Sequence, residues 1–303
     1  MSLSGRFFLA LSTNKLANKM AKKYGLKFGA QRFVAGDSPD NAVRTVQELN
    51  RNGMAAMLNY LGEFVRTEQE AEEATVNWIK TLDLIHDNKL DCNLSVKITS
   101  LGLDIEKEQC LKNLRRILDY AKERDIFVRI EMEDYTHCQP TLDIFYELAK
   151  EYDNIGTVIQ AYLYRTENDL EELNKYNANL RIVKGAYQES AEVAFPKKED
   201  VDKNYDKIVK THLLNGNYAG IATHDDVAIE EFIRFAKEND IPKTQFEFQF
   251  LYGIRSELQK ELAKRGYKVR VYVPYGTDWF GYFMRRLAER PENVKFVMKN
   301  AFR

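Results

Sequence analysis

The sequence predicts a (β/α)8 barrel of the TIM type whose strands carry charged side chains on their inner faces. Three observations predict it. Eight short β-rich runs recur along 303 residues, longer stretches of helical periodicity separate them, and several runs alternate apolar with polar positions. The runs lie near 54–60, 92–98, 127–133, 156–162, 180–185, 220–224, 244–250 and 268–274, at intervals of roughly thirty residues, as βα units require. A barrel of this kind needs roughly 250 residues as one unit, and no Ser/Pro/Gly-rich linker divides the chain. Residues 1–40 hold a helical pattern with Lys and Asn on its polar side and no strand candidate. They are expected as helices packed on the barrel, and 41–303 as the catalytic barrel, one domain overall.

Each element follows from its pattern. In the second run Leu94 and Val96 oppose Ser95 and Lys97, because side chains alternate across a strand. The helix after it shows one apolar stripe, Leu111, Leu114, Leu118 and Ala121. In the third run Val128, Ile130 and Met132 oppose Arg129, Glu131 and Glu133, and Leu142, Phe145, Leu148 and Tyr152 form the next stripe. Gln160 lies between apolar neighbours in the fourth run, and Arg181 opposes Ile182 in the fifth. Ile229, Phe232, Ile233 and Ala236 mark the helix after the sixth run. In the seventh, Phe246, Phe248 and Phe250 oppose Glu247 and Gln249; in the eighth, Val269, Val271 and Val273 oppose Arg270 and Tyr272. A last helix, capped by Thr277 or Asp278, carries Tyr282 and Arg285-Arg286-Leu287-Ala288-Glu289.

Parallel strands covered by helices normally read as continuous apolar runs. These do not, so the apolar faces meet the helices and the polar faces line the barrel interior and its C-terminal mouth. Two readings follow. The charges pair with one another, or they also serve a polar ligand; burying so many near strand ends without partners would cost several kcal/mol each, and Lys97, Glu133, Lys184, His224 and Tyr272 fall where active sites of this fold lie. The second reading is the stronger.

Lys+Arg 45 against Asp+Glu 46 gives a net charge of -1, which points away from nucleic acid and anionic membrane surfaces and towards a small partner. Cys92, Cys110 and Cys138 form neither a CxxC pair nor an even set, and read as reduced cytosolic thiols rather than a disulfide framework or a zinc site. The apolar stretch from Phe7 to Leu11 is far shorter than the ~20 residues of a membrane span, so no targeting segment is expected. GxGxxG, Walker, GxSxG and HExxH motifs are absent. Nucleotide phosphates, if bound, fall to Lys184-Gly185-Ala186, where small residues let backbone N–H groups approach, with charge from Lys184 or Arg181, and to Thr223-His224. On these residues alone, His224 in Thr223-His224-Asp225-Asp226 reads more strongly as a helix-capping or structural histidine beside its acidic neighbours. His86, His137, His212 and His224 show no metal-ligand spacing, and His137-Cys138 reads as loop. Arg285, Arg286 and Glu289 share a helix face, which suits a carboxylate clamp; on spacing alone a solvated salt-bridged surface is the stronger reading.

Ser95-Val96-Lys97 with Leu101-Gly102, Arg181-Ile182-Val183-Lys184-Gly185-Ala186-Tyr187, Ala222-Thr223-His224, Phe246-Glu247-Phe248-Gln249 with Leu251-Tyr252-Gly253, Val271-Tyr272-Val273-Pro274-Tyr275-Gly276, and Tyr282 with Arg285-Arg286 and Glu289 occur in this order. With these motifs the chain resembles, over nearly its whole length, the monofunctional proline dehydrogenases, flavoproteins that oxidise L-proline to Δ1-pyrroline-5-carboxylate. The resemblance implies FAD at the mouth, contacted by Met132, Gln160, Arg181, Lys184, Gly185, Ala186, Thr223 and His224, with Arg181 near the flavin N5. It implies that Lys97, Arg285 and Arg286 hold the proline carboxylate, that Leu251, Tyr272 and Tyr282 pack against its ring, and that Glu289 orients the arginines. Glu131 stands where the family usually has Asp paired with the site lysine, and is retained as a catalytic candidate.

Hydride transfer from the ring carbon beside nitrogen to the flavin is the expected step, with the amine entering unprotonated. A membrane quinone is the implied acceptor, so a cytoplasmic enzyme touching the membrane transiently is expected; the segment from Gly5 to Met20 either touches lipid or caps the barrel, and capping is favoured. Rival readings are another flavin barrel, of the hydroxyproline dehydrogenase or methylenetetrahydrofolate reductase kind, and a non-catalytic amino-acid-binding barrel. An ordinary eighth helix would carry Arg285 and Arg286 down the outside, so the last helix is expected to lie over the opening.

Overall fold

The computed structural model describes residues 33–62 and 65–289, apart from the side chains of 285–289. Most of the expected N-terminal helical segment, including 5–20, therefore lies outside the described residues. Helix α1 (Pro39–Arg51) runs across residue 40, the boundary drawn from sequence; the Ser38 hydroxyl caps it, Pro39 sits in its first turn, and Ala42, Val43, Val46 and Leu49 are its buried face.

Eight βα units follow. They comprise β1 (Ala55–Tyr60) and α2 (Glu68–Asp87), then β2 (Cys92–Val96) and α3 (Lys107–Lys122). Next come β3 (Val128–Ile130) and α4 (Tyr135–Leu148), β4 (Ile155–Gln160) and α5 (Thr166–Asn174), and β5 (Asn179–Val183) and α6 (Lys198–Leu214). The last three units are β6 (Ala219–Ala222) and α7 (Asp226–Glu238), β7 (Phe246–Leu251) and α8 (Ser256–Lys264), and β8 (Val269–Tyr275) and α9 (Trp279–Glu289). All strand pairs are parallel and the sheet closes on itself in sequence order. The closing pair runs from Ala55 opposite Arg270 to Tyr60 opposite Tyr275. The (β/α)8 barrel expected from the sequence is thus the observed fold.

Strands β2 and β3 fall short of their sequence runs by the most, for local reasons. β2 stops at Val96 because Ile98–Leu101 forms a 3-10 turn, closed by Gly102 at a φ of 97° that glycine adopts without strain. β3 stops at Ile130 because Glu133 turns aside to accept from the Thr99 backbone N–H and hydroxyl. Two assignments need correction. His137 and Cys138 are not loop: they lie in the first turn of α4, which Asp134 caps by accepting from the His137 N–H. Tyr152 lies beyond the end of α4 and is held instead by its hydroxyl, which donates to Asp119 at 2.7 Å.

The main core fills the layer between strands and helices, where Leu114, Ile117, Phe145, Ile208 and Phe232 are fully enclosed. Cys92, Cys110 and Cys138 are free and buried in it, and burial pushes each thiol up to about 12. A second, smaller apolar cluster lies at the C-terminal end of the barrel. Trp279, Tyr282, Phe283 and Met284 of α9 meet Leu61, Leu251, Ile254 and Tyr272, with Phe33 and Val34 beside them. Leu61, Leu251 and Ile254 sit at or just past the C-terminal ends of β1 and β7, so α9 lies over the opening, as expected.

The interior needs space for long side chains, and two strand glycines provide it. A Cβ at Gly156 on β4 would come within 2.6 Å of an Arg129 guanidinium nitrogen, and one at Gly220 on β6 within 2.5 Å of the Gln249 amide nitrogen. In both places the neighbouring side chain occupies the volume that glycine leaves empty.

Candidate active site

Alternation along the strands turns Ser95, Arg129, Glu131, Arg181, Glu247, Gln249 and Arg270 into the barrel, and all are buried. They are compensated mainly by one another and by the backbone. At the lower level Arg129 donates to the Thr157 carbonyl at 2.9 Å and to the backbone and side-chain oxygens of Asn179. Burial, reinforced by the charge of Arg181, lowers its pKa to about 9. Beside it Arg270 donates through Nε to Glu247 Oε1 at 2.8 Å and through Nη1 to the Ala56 carbonyl. Burial pushes the Glu247 carboxyl up, but Arg270 overrides it and holds the group at about 2.

Higher up, Arg181 Nη1 donates to both oxygens of Glu131, at 2.7 and 2.6 Å, and its Nε donates to Gln249 Oε1 at 2.7 Å. Ser95 donates its hydroxyl to Glu131 as well. Among the described residues, Arg181 Nη2 meets only the Met57 thioether, a weak acceptor, at 3.1 Å. Mutual pairing therefore accounts for more of the interior charge than the sequence suggested, and the case for a ligand rests on position and on this one under-used edge. Tyr272 stands next to it, its ring centroid 5.1 Å from the Arg181 guanidinium carbon. Burial, with the Glu131 carboxylate close by, holds the Tyr272 phenol well above its ordinary range, so it stays protonated at neutral pH.

The other sequence-derived candidates gather round the mouth. Gln160 at the end of β4 is buried and donates to the Glu133 carbonyl at 2.9 Å. Lys184, just past β5, is half-buried and ion-paired to Asp202 at 2.5 Å, a partner the sequence reading lacked. Gly185 follows at a φ of 112°, packed so tightly on the Tyr162 ring that no Cβ fits, and Ala186 beyond it is exposed. Thr223 is buried past β6; its hydroxyl accepts from the Asp225 N–H while Asp225 caps α7. His224 Nε2 accepts from the Leu251 N–H at 3.1 Å, which leaves the ring proton on Nδ1 and links β6 to β7. Asp225, not His224, is the cap.

Met132 is buried in the loop after β3, and Lys97 follows β2 directly, half-buried. Leu251, Tyr272 and Tyr282 come together in the cluster beneath α9. Arg285, Arg286 and Glu289 lie on the last turns of α9, with side chains outside the described residues. Sequence reasoning missed Asp202 and Thr99, which hold Lys184 and Glu133. It also missed the His137 imidazole, set between Asp134 at 2.6 Å and Asp104 at 2.8 Å; these carboxylates outweigh its burial and raise its affinity for a proton. Histidine three residues after an N-capping aspartate was the available signal for one of the two contacts. Among the described residues no three His, Cys, Asp or Glu side chains group as a metal site. No described helix is long and apolar enough to cross a membrane.

Comparison with known proteins gives a consistent picture. A family model described as proline dehydrogenase matches residues 42–299. Proline dehydrogenase 1 of Bacillus subtilis (strain 168) is 52% identical over 292 residues, which cover 96% of this chain and 97% of that protein. The proline dehydrogenase of Deinococcus radiodurans is 45% identical over 275 residues, 89% of each chain. Among solved structures, proline utilization A from Bdellovibrio bacteriovorus, inactivated by N-propargylglycine, superimposes with a TM-score of 0.80 at 28% identity over 86% of this chain. The chain spans 32% of that longer polypeptide.

Proposed function

Because the chain belongs to the proline dehydrogenase family, we infer that it oxidises L-proline to Δ1-pyrroline-5-carboxylate, the first step of proline catabolism, at the C-terminal mouth of its barrel. The observation that carries the site is Arg181: buried, fixed at Nε and Nη1, and offering Nη2 beside Tyr272. The surrounding donors suit FAD. Gln160, Arg181, Lys184, Thr223 and His224 bring cations and neutral donors to the ends of β4, β5 and β6, and the nearby carboxylates of Asp202 and Asp225 are engaged by Lys184 and the start of α7. Such a set complements an anionic pyrophosphate and an oxygen-rich flavin edge. Gly185, Ala186 and the backbone at Met132 complete the contacts proposed for it. When bound, FAD supplies the two-electron acceptor that no protein side chain provides.

The chain's own residues then divide the remaining work. Lys97, Arg285 and Arg286 hold the substrate carboxylate, and Glu289 orients the two arginines. Leu251, Tyr272 and Tyr282 exclude water and stack on the pyrrolidine ring. As hydride leaves the ring carbon next to nitrogen, the nitrogen lone pair closes the C=N bond, so the amine must enter neutral. Arg181 presents positive charge where negative charge develops, and Glu131 keeps it in place. Electrons pass on to a quinone, which brings the protein to the membrane surface at least transiently.

The deciding experiment is the visible spectrum of the purified protein. It is expected to be yellow and to lose its flavin absorbance on anaerobic addition of L-proline; a colourless protein, or a yellow one bleached only by hydroxyproline, overturns the assignment. Arg286→Lys should lower kcat/KM for proline by on the order of 2–4 kcal/mol of transition-state binding, and wild-type efficiency would remove Arg286 from the clamp. Flotation with quinone-containing liposomes, with and without residues 1–20, tests the membrane contact; protein remaining at the bottom in both cases counts against it.

A further inference from the structure

The orientation of Arg181 depends on an amide, and an amide has two ends. Gln249 accepts from Arg181 Nε only if its carbonyl faces the guanidinium. Turned over, it would aim an NH2 group at a cation. The choice is made one step further down the barrel. Gln249 Nε2 donates to Glu247 Oε1 at 2.6 Å, and Glu247, paired to Arg270 at 2.8 Å, is a carboxylate with only lone pairs to offer. The amide nitrogen must therefore face Glu247 and the oxygen must face Arg181. Gly220 adds a steric condition, since the amide nitrogen lies where a Cβ on that residue would point.

The five guanidinium hydrogens of Arg181 are then assigned. One goes to Gln249, two to Glu131, and two remain on Nη2, against the Met57 sulfur. We propose that Gln249, polarised by Glu247 and housed by Gly220, is a positioning residue for the oxidation of proline: it fixes the rotation of the Arg181 guanidinium so that Nη2 faces the mouth. Glu131 alone does not fix this, because a carboxylate accepting from a single nitrogen lets the guanidinium plane swing about that contact; the Nε bond on the opposite edge removes the freedom. The inference rests on the reading that Arg181 faces the flavin.

The test uses holoenzyme of wild type, Gln249→Leu and Gly220→Ala. The first variant removes the acceptor at similar volume, and the second displaces the amide without removing it. Anaerobic flavin reduction by L-proline and the flavin midpoint potential are measured for each. Bleaching of the wild type by proline tests the underlying reading separately; without it that reading fails, whatever the variants do. With it, Gln249→Leu is expected to reduce about tenfold more slowly at saturating proline. Its KM should change less than about threefold, since the carboxylate-holding residues are untouched, and its midpoint potential should move negative because the reduced flavin loses an aligned cation. Gly220→Ala should show the same two changes, smaller in size. A variant that melts earlier yet keeps the wild-type reduction rate and potential overturns the proposal. Should Gln249→Leu fail to fold, Gly220→Ala decides alone, and an unchanged potential there overturns it.

Discussion

At the scale of single residues, Glu131 is where sequence and structure inform each other most. The family usually carries Asp at this position, and the longer side chain raised the question of how the site tolerates it. In the structure both Glu131 oxygens reach Arg181 Nη1, and one also accepts from Ser95. The extra methylene carries the carboxylate past β4 to a guanidinium on β5. Glu131→Asp should therefore lose one of the two Arg181 contacts and destabilise the fold by about 1–3 kcal/mol, seen as a lower urea midpoint. Glu131→Ala should cost about 3–5 kcal/mol, because it leaves a buried guanidinium without its counter-charge. An unchanged midpoint in Glu131→Ala would show that Arg181 reaches solvent. Alternation told which face these residues occupy and hence that Glu131, Arg181 and Gln249 share the interior. It did not tell who pairs with whom, since Glu131 and Arg181 are 50 positions apart and Lys184 and Asp202 are 18. Pairing depends on barrel register, which a single sequence carries only implicitly.

Among the elements, β strands were legible because period-two patterning is local, and the stripes of α3 and α7 for the same reason at period 3.6. What was not legible was where a strand gives way to a turn that serves the site, as after Val96 and Ile130, because there the Ser100 hydroxyl donating to the Lys97 carbonyl and the tertiary hydrogen bond from Thr99 to Glu133 decide. The α1 helix has a cap legible in Ser38-Pro39, but it straddles residue 40, where the sequence pattern places the boundary of the N-terminal segment. β4 supports a sharper prediction. Gly156→Ala forces a methyl group against Arg129 and the Asn179 carbonyl, which are hydrogen-bonded to each other. Overpacking of this kind should cost roughly 1–3 kcal/mol and lower Tm; an unchanged Tm would show that the Arg129 level of the barrel is soft. The α4 cap predicts the opposite of an acid-labile contact. His137 between two aspartates binds its proton more tightly than an ordinary histidine, so the tie from α4 to the loop at Asp104 is present below about pH 6.5 and weakens as pH rises through the raised value. Imidazole resonances titrating below those of a free histidine would contradict it.

Taken as a whole, the molecule should be acid-sensitive in two adjoining windows that overlap slightly near pH 4. His212 is buried against Asn174 and the Tyr218 carbonyl, and burial lowers it to about 4. The unfolded chain binds that proton more readily than the folded one between pH 6.5 and 4, so stability falls with pH across this range, by roughly 3 kcal/mol in all. Glu247, held at about 2, contributes stability that is complete above about pH 4.5 and is lost as pH falls towards 2, again by roughly 3 kcal/mol. Urea midpoints followed from pH 8 to 3 should show both slopes, and His212→Gln should flatten the upper one while leaving the lower. Other groups titrate as well, His137 with the opposite sign above about pH 6.5, so the His212 assignment is tested by the difference between the two proteins: equal slopes for wild type and His212→Gln between pH 6.5 and 4 would disprove it. The placement of α9 over the mouth has an optical consequence. The chain has two tryptophans, and the fold puts them in different compartments: Trp78 on α2, its indole N–H bonded to Ser100, and Trp279 at the start of α9 among Phe280 and Phe283. Excited selectively through Trp78→Phe and Trp279→Phe variants, the molecule becomes its own two-channel fluorimeter, one channel reporting the scaffold and the other the cover. Substrate should move the emission of the second and leave the first still.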